Sequence, residues 1–445
     1  MIYKTEITDP LKIVKKVYQG YGFSEWQGKK IFVHYGIPGD KLRARIITRK
    51  KDYLLAEVEE VIEASSARIE AGCAAFGKCG GCDWLNIHYQ NQLGYKEDIL
   101  DEIFQKIPGE AMPIQGCVQR THYRNKCFYP LTMRNGKPVY GIYARGTHEV
   151  IEHNNCQLQP VIFDKLAEAF CQYIINSHET VYNEKNGIGN ILHLGFRIAP
   201  ESGELLLIIV TYRRRLAFTN LLIKAMKSVY PQIRGIIQNI NPDPGNMILG
   251  REHKLIDGDN FLQAELAGRK FELNYDAFFQ VNREAATAML DFCREYVNPE
   301  TVLIDAYCGT GTIGICLADK AAKVIGIDNS RAAIKNARNS VKLNGISNAE
   351  FLTGDTAALI AGVISNHKPD LIIFDPPRSG LAAETISAVC TAAIPRIIYI
   401  SCDPSTQHRD LRLFIQAGYE LRCRKGFDMF PQTWHIENVL ILEKK

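Results

Sequence analysis

Apolar and polar positions divide the chain into three stretches of different rhythm. Up to about residue 61, short β-rich runs, KKIFVHY, KLRARIITRK and DYLLAEVEEV, alternate with turn signals, above all GIPGD at Gly36 to Asp40. This pattern predicts a small all-β unit over residues 1–61. From 62 to 268 helical stretches mix with strands such as GELLLIIVTYR, and the segment reads as an α+β unit. From 269 to 445 the rhythm changes again. TVLIDAYCGTG, AKVIGIDNS, AEFLTGD, DLIIFDPPR and RIIYISCDP are apolar runs that each end in polar or glycine residues, with helical segments between most of them. Strands alternating with helices predict a doubly wound α/β domain, whose ligands sit at the carboxyl ends of the strands. The fold expected is therefore multidomain α/β.

Composition narrows this picture only slightly. A chain of 445 residues needs more than one core. No run approaches the roughly 20 apolar residues that span a bilayer, and MIYKTEITDP lacks the blocks of a signal peptide, so a cytoplasmic protein is expected. The net charge of +4 permits a nucleic-acid partner without demanding one. Lys29, Lys30, Lys41, Arg43, Arg45, Arg49, Lys50 and Lys51 crowd the first stretch, interleaved with Phe32, Tyr35 and Tyr53. A small barrel with a basic, aromatic face suits RNA, although a merely solvated face fits the same residues.

Thirteen cysteines in a reducing compartment argue against a disulfide framework. Cys73, Cys79 and Cys82 follow a C-x5-C-x2-C spacing in CAAFGKCGGCDW, which points to a metal centre needing a fourth ligand. Cys117, Cys127 and Cys156 are the candidates, and Cys156, in the loop HNNCQLQP, is preferred. Spacing leaves zinc and an iron-sulfur cluster both open.

VLIDAYCGTGTIG carries Gly309, Gly311 and Gly314 between a strand and a helix, a turn that suits either a pyrophosphate or an adenosyl cofactor. Its neighbours favour the second. Asp305 ends the first strand, Asp328 ends the next where a carboxylate accepts ribose hydroxyls, and Asp355 ends the third where it can take an adenine amino group. FDPPRSGL is foreign to dehydrogenases, and its two prolines make a rigid loop. S-adenosylmethionine is the cofactor expected. Cys402, in ISCDPSTQ, emerges at the same edge, and a thiolate there could add to C6 of a uracil. Glu437, in FPQTWHIENVLILEKK, is the candidate base, with His435 its rival.

Taken together these residues resemble the RNA 5-methyluridine methyltransferases, closest to the 23S ribosomal RNA (uracil-5-)-methyltransferases. The resemblance rests on CAAFGKCGGCDW, YRNKCFY, GIYARGTHEVIEHNNCQLQ, FFQVN, DAYCGTGTIGI, FDPPRSGL, SCDP and FPQTWHIE, in family order. It implies an amino-terminal TRAM-type, OB-like barrel that binds RNA, a central domain with a 4Fe-4S cluster on Cys73, Cys79, Cys82 and Cys156, and a class I Rossmann-like methyltransferase domain. It further implies Cys402 as nucleophile, Glu437 as proton-abstracting base, and Gln280, Tyr307, Asp328 and Asp375 at the cofactor, alongside Asp305, Gly309, Thr312 and Asp355. The chain departs from the family at Asp328, where relatives often carry glutamate, and at Thr312-Ile313, where they often carry Asn-Phe. The transfer RNA branch lacks the barrel and the cysteine cluster, so 23S ribosomal RNA is the expected substrate, and a monomer the expected state. The alternatives are a transfer RNA methyltransferase and a non-enzymatic iron-sulfur RNA-binding factor.

Overall fold

The computed structural model describes residues 6–245 and 247–445. All three β-rich runs of the first stretch are strands, Lys29–His34, Lys41–Arg49 and Tyr53–Glu63, within a six-stranded sheet. The kinked run from Leu11 to Lys16 pairs with both ends of that sheet, Leu11 opposite Leu42 and Lys15 opposite Phe23. Alternate residues Ile31, Val33, Leu42, Ala44, Leu54 and Ala56 point inward and form a small core. The basic crowd proves to be split. Lys41, Arg43, Arg45 and Arg49 pair with Glu63, Glu60, Glu57 and Glu59, and Glu6, so that strand is largely neutralised. Phe23, Phe32 and Tyr53 make a separate aromatic row, with ring centroids 5.8 and 5.6 Å apart.

A seven-stranded sheet forms the centre of the middle stretch. Its strand Leu205–Thr211 is buried along its whole length. Leu205, Leu207 and Ile209 meet the helices Val161–Ser177 and Thr219–Val229, while Leu206, Ile208 and Val210 join the core shared with the carboxyl-terminal domain. An unbroken apolar run is what burial on both faces requires.

The carboxyl-terminal sheet runs Ala349–Thr353, Lys323–Asp328, Val302–Ala306, Leu371–Phe374, Arg396–Ser401, Glu437–Lys444, Tyr419–Phe427 and Glu110–Gln115. The first five strands are parallel, and Glu437–Lys444 inserts antiparallel beside Arg396–Ser401. Successive residues alternate between two cores. Ile372 and Phe374 pack with helices Thr356–His367, Ala383–Ala392 and Pro404–Gln416, and Ile373 packs towards Arg283–Arg294 and Thr312–Leu317. Strand order reverses between Val302–Ala306 and Leu371–Phe374, so the loops after them leave in opposite directions and open a crevice. Two features cross the expected boundary at 268/269. The hairpin Phe261–Leu266 with Arg269–Asn274 straddles it, and Glu110–Gln115 leaves the middle stretch to become the far edge of the carboxyl-terminal sheet.

Candidate functional site

The crevice is a cavity of about 1250 Å³, and Gln280, Tyr307, Gly309, Thr312, Asp328, Asp355, Asp375, Cys402 and Glu437 all line it. At its floor the chain leaves Val302–Ala306 through Tyr307, whose φ of 63° is unusual for a residue with a side chain. Gly311 follows at φ 76°, and a Cβ there would lie 2.7 Å from the Phe351 ring, so only glycine fits. Asp328 Oδ2 accepts from the Gly309 amide at 3.0 Å and Oδ1 from Ser330 at 2.8 Å, which fixes the loop against the next strand. Asp355 caps helix Thr356–His367 through Ala358 N–H at 3.0 Å. Asp305 differs from its sequence expectation. It lies under the loop, fully buried and off the cavity wall, where Oδ2 accepts from Gly314 N–H at 2.8 Å. Burial raises its carboxyl to a pKa of about 7. It supports the glycine turn from below.

Cys402 and Glu437 come from neighbouring strands. Arg396–Ser401 and Glu437–Lys444 pair antiparallel with Ser401 opposite Asn438, so the end of one strand and the start of the other meet at the same edge. Asp403 then caps helix Pro404–Gln416, accepting from Ser405 and Thr406 N–H at 3.0 and 3.1 Å, and this turns the chain sharply away after Cys402. The electrostatics are closely linked. Burial and the adjacent Glu437 push the Cys402 thiol up to about 11, against a downward pull from Arg378. Glu437 is raised well above the ordinary carboxylate range by burial and by Asp375, again opposed by Arg378. Burial also raises Asp375, to about 7. Negative charge is therefore disfavoured on each group while its neighbour carries one. Arg378 was not singled out from sequence, although it lies within the FDPPRSGL motif. His435, the rival base, does not line this cavity.

The four cysteines of the expected metal set, Cys73, Cys79, Cys82 and Cys156, line a second cavity of about 340 Å³, with Phe76, Leu85, Phe128 and Leu158 on its walls. Cys127 lines it too, fully enclosed in strand Lys126–Arg134, and Cys117 does not. Among the described residues no three His, Cys, Asp or Glu side chains stand close enough to hold a single metal ion. Asp164 braces the Cys156 loop by accepting from Asn155 and Cys156 N–H at 2.8 and 3.1 Å.

The cysteine loop also reaches the segment that leads into Glu437. Asp83 and Trp84 N–H both donate to the Gln432 carbonyl, at 3.1 and 3.0 Å, and the Gln92 side chain bonds the Gln432 amide and side chain at 3.1 and 2.8 Å. Tyr123 donates to Pro431 O at 3.2 Å, and Asn125 to Gln280 O at 2.9 Å. YRNK thus ties FPQTW to FFQVN, a role that its sequence did not reveal. Gly20 of the amino-terminal sheet packs so closely on Trp434 that a Cβ would come within 2.8 Å of it.

A doubly wound sheet with one inserted antiparallel strand, a glycine turn and a crevice beyond the strand ends defines an α/β fold of the methyltransferase type. Comparison agrees. Residues 88–445 match the family model described as tRNA (uracil-5-)-methyltransferase. The chain is 32% identical to an uncharacterised RNA methyltransferase of Halalkalibacterium halodurans over 96% of its own length and 95% of the relative's. It is 33% identical to another of Caldanaerobacter subterraneus, over 98% of both chains. A tRNA (uracil-54, C5)-methyltransferase of Pyrococcus abyssi, solved with S-adenosyl-L-homocysteine, has a similar fold, with a TM-score of 0.78 at 23% identity, covering 97% of this chain and 100% of that one. The chain belongs to the tRNA (uracil-5-)-methyltransferase family. The likeness to that structure extends over the amino-terminal sheet as well as the carboxyl-terminal domain.

Proposed function

We propose that this protein transfers a methyl group from S-adenosylmethionine to C5 of a uridine in 23S ribosomal RNA. One observation carries the reading: Cys402 and the buried Glu437 meet on the wall of the cavity that the glycine turn also lines. Gln280, Tyr307, Thr312, Asp328 and Asp355, which line the cavity, would hold S-adenosylmethionine, Asp328 as acceptor for ribose hydroxyls and Asp355 as acceptor for an adenine amino group, and the bound donor would supply an electrophilic methyl carbon. The Cys402 thiolate adds to C6 of the uracil, making C5 nucleophilic enough to take the methyl group. Glu437 then removes the C5 proton, and the C6–S bond breaks to restore the ring double bond and the thiolate.

The linked charges order these steps. Cys402 ionises most easily while Glu437 is protonated and Arg378 lies beside the sulfur. On addition the negative charge passes from the sulfur to the uracil ring as an enolate, and taking up the methyl group cancels it, so that after this step only burial and Asp375 oppose ionisation of Glu437. The base therefore becomes easier to ionise after methyl transfer.

The motif set supports 23S ribosomal RNA. A transfer RNA reading is favoured instead by the description of the family model and by the archaeal neighbour. A 4Fe-4S cluster on Cys73, Cys79, Cys82 and Cys156 belongs to the proposal, as a structural group, since the chemistry contains no electron-transfer step. So do the TRAM-type role of the amino-terminal sheet, a monomeric state and a cytoplasmic location. No helix among the described residues is long and apolar enough to cross a membrane.

The test offers labelled methyl donor with purified 23S ribosomal RNA and with transfer RNA. Label is expected in 5-methyluridine of the ribosomal RNA, and label in transfer RNA alone would select the second reading. Cys402→Ala is expected to lose methylation, and Glu437→Gln to slow it roughly 10²–10⁴-fold while RNA stays covalently attached. A Cys402→Ala protein working at the normal rate would overturn the mechanism.

A further inference from the structure

Beside the crevice lies a second groove, of about 480 Å³, between the cysteine loop, the turn from Tyr143 to Thr147 and the FPQTW segment. The two cavities share one wall residue, Arg378. The volume is within the range of small-ligand sites, roughly 300–1,000 Å³. Its chemistry is mixed. Trp434 and His435 form one wall, their rings 4.1 Å apart, and Tyr143 faces the groove with its hydroxyl 3.2 Å from His193 Nε2. Arg378 and Arg145 supply positive charge, Arg145 in an ion pair with Asp83 that cancels the one carboxylate on the wall. Nδ1 of His435 and Nδ1 of His193 are buried and have no hydrogen-bond partner among the described residues, and His193 Nε2 is taken by the Tyr143 hydroxyl, which leaves His435 Nε2 as the ring nitrogen open to the groove. Burial and surrounding cations hold His435 at a pKa of about 4, and burial holds His193 at about 4, so both rings are neutral at pH 7.

We infer that this groove holds the base of a nucleotide next to the target uridine in single-stranded RNA. The inference rests on the uridine reading above. A uridine in the crevice must leave its helical stack, so its neighbours lose their stacking partners as well. Aromatic walls replace that stacking, His435 Nε2 meets a base edge, and Arg378 sits where the chain passes from one cavity to the other. Aromatic faces with arginines are the usual means of holding unstacked bases. An acidic peptide would find the cations but would leave the aromatic walls and the neutral His435 unused.

The test uses the RNA fragment that accepts methyl groups, with 5-fluorouridine at the target position and 4-thiouridine at each flanking position in turn. The fluorinated base traps the Cys402 adduct, and light then cross-links the flanking base. At one flanking position the cross-link is expected in peptides containing Tyr143 to Thr147 or Trp434 and His435. In a second measurement, Tyr143→Ala with Arg145→Met is expected to raise KM for the normal fragment about ten-fold, the effect of losing one modest base stack. It should leave KM unchanged for a fragment that is abasic at that position. An adduct whose cross-links all lie elsewhere overturns the groove and leaves the catalytic reading standing, whereas no adduct overturns both. A variant that is merely misfolded would lose both fragments equally, and the cross-link map of the unaltered protein decides independently.

Discussion

Asp305 sits where a carboxyl group favours its neutral form, fully buried beneath the glycine turn with one oxygen bonded to Gly314 N–H. Its pKa of about 7, against about 3.9 in an unfolded chain, means that the native state binds its proton more tightly. That contribution to stability is complete below about pH 4 and is lost as pH rises through about 7. The loss is on the order of 4 kcal/mol at most. Asp305→Asn should flatten the pH dependence, so that the variant gains stability relative to the parent as pH rises from 5 to 8. Thermal unfolding of both proteins across that range checks it, and parallel curves would show that the group titrates normally. Sequence reading placed Asp305 at the right strand end but on the wrong side of the turn, because a motif gives spacing without depth. The place of Cys402 on the cavity wall was legible because it follows an apolar run that ends at the crevice. Arg378 was not, because an arginine in a proline loop looks like any solvated cation until Cys402 and Glu437 are seen beside it.

Elements with strong apolar runs were the most legible. The five parallel strands and the three amino-terminal ones stand where their patterns put them: burial on two faces leaves the inner parallel strands little freedom in sequence, and burial of one face imposes alternation on the amino-terminal ones. Glu110–Gln115 was not legible. EAMPIQ has no clear alternation and contains Pro113, which an edge strand tolerates, and its partner Tyr419–Phe427 lies some 300 residues away in the chain. That the four cysteines gather around one cavity was legible, whereas the contact of their loop with Gln432 was not, because hydrogen bonds to a backbone carbonyl leave no mark on residue type. For this loop, protein purified without oxygen should carry iron and sulfide in equal amounts, about four of each per chain. Cys156→Ser should lose most of both. Zinc in place of iron, or a metal-free protein with an intact fold, would reject the cluster.

Across the whole molecule, the stretches are locked by buried polar contacts as much as by apolar packing. Lys96 Nζ lies 2.5 Å from Asp428 Oδ1 with both side chains fully buried, joining helix Tyr89–Phe104 to the segment that leads into FPQTW. Trp84 stands between Lys96 and Lys16 of the amino-terminal sheet and donates to Gly20 O at 3.1 Å. Lys96→Met strands a buried carboxylate and should cost about 3–5 kcal/mol, whereas Lys96→Met with Asp428→Leu should recover most of it. Urea unfolding of the three proteins measures this. Equal losses in the single and double variants would mean that packing, not charge, makes the joint.

Gln432 gives the chain an unexpected indivisibility. The family's shared stretch begins at residue 88, yet the two amides that hold the Gln432 carbonyl, five residues before Glu437, belong to Asp83 and Trp84. A piece cut at that border would keep every residue proposed to touch uridine or methyl donor, and the Gln92 bonds to Gln432, but would lose both donors to the Gln432 carbonyl. The carboxyl-terminal part is thus no detachable engine. Any descendant that discards the cysteine loop has to find new donors for that one carbonyl, and such replacements are where divergence within the family should leave its clearest trace.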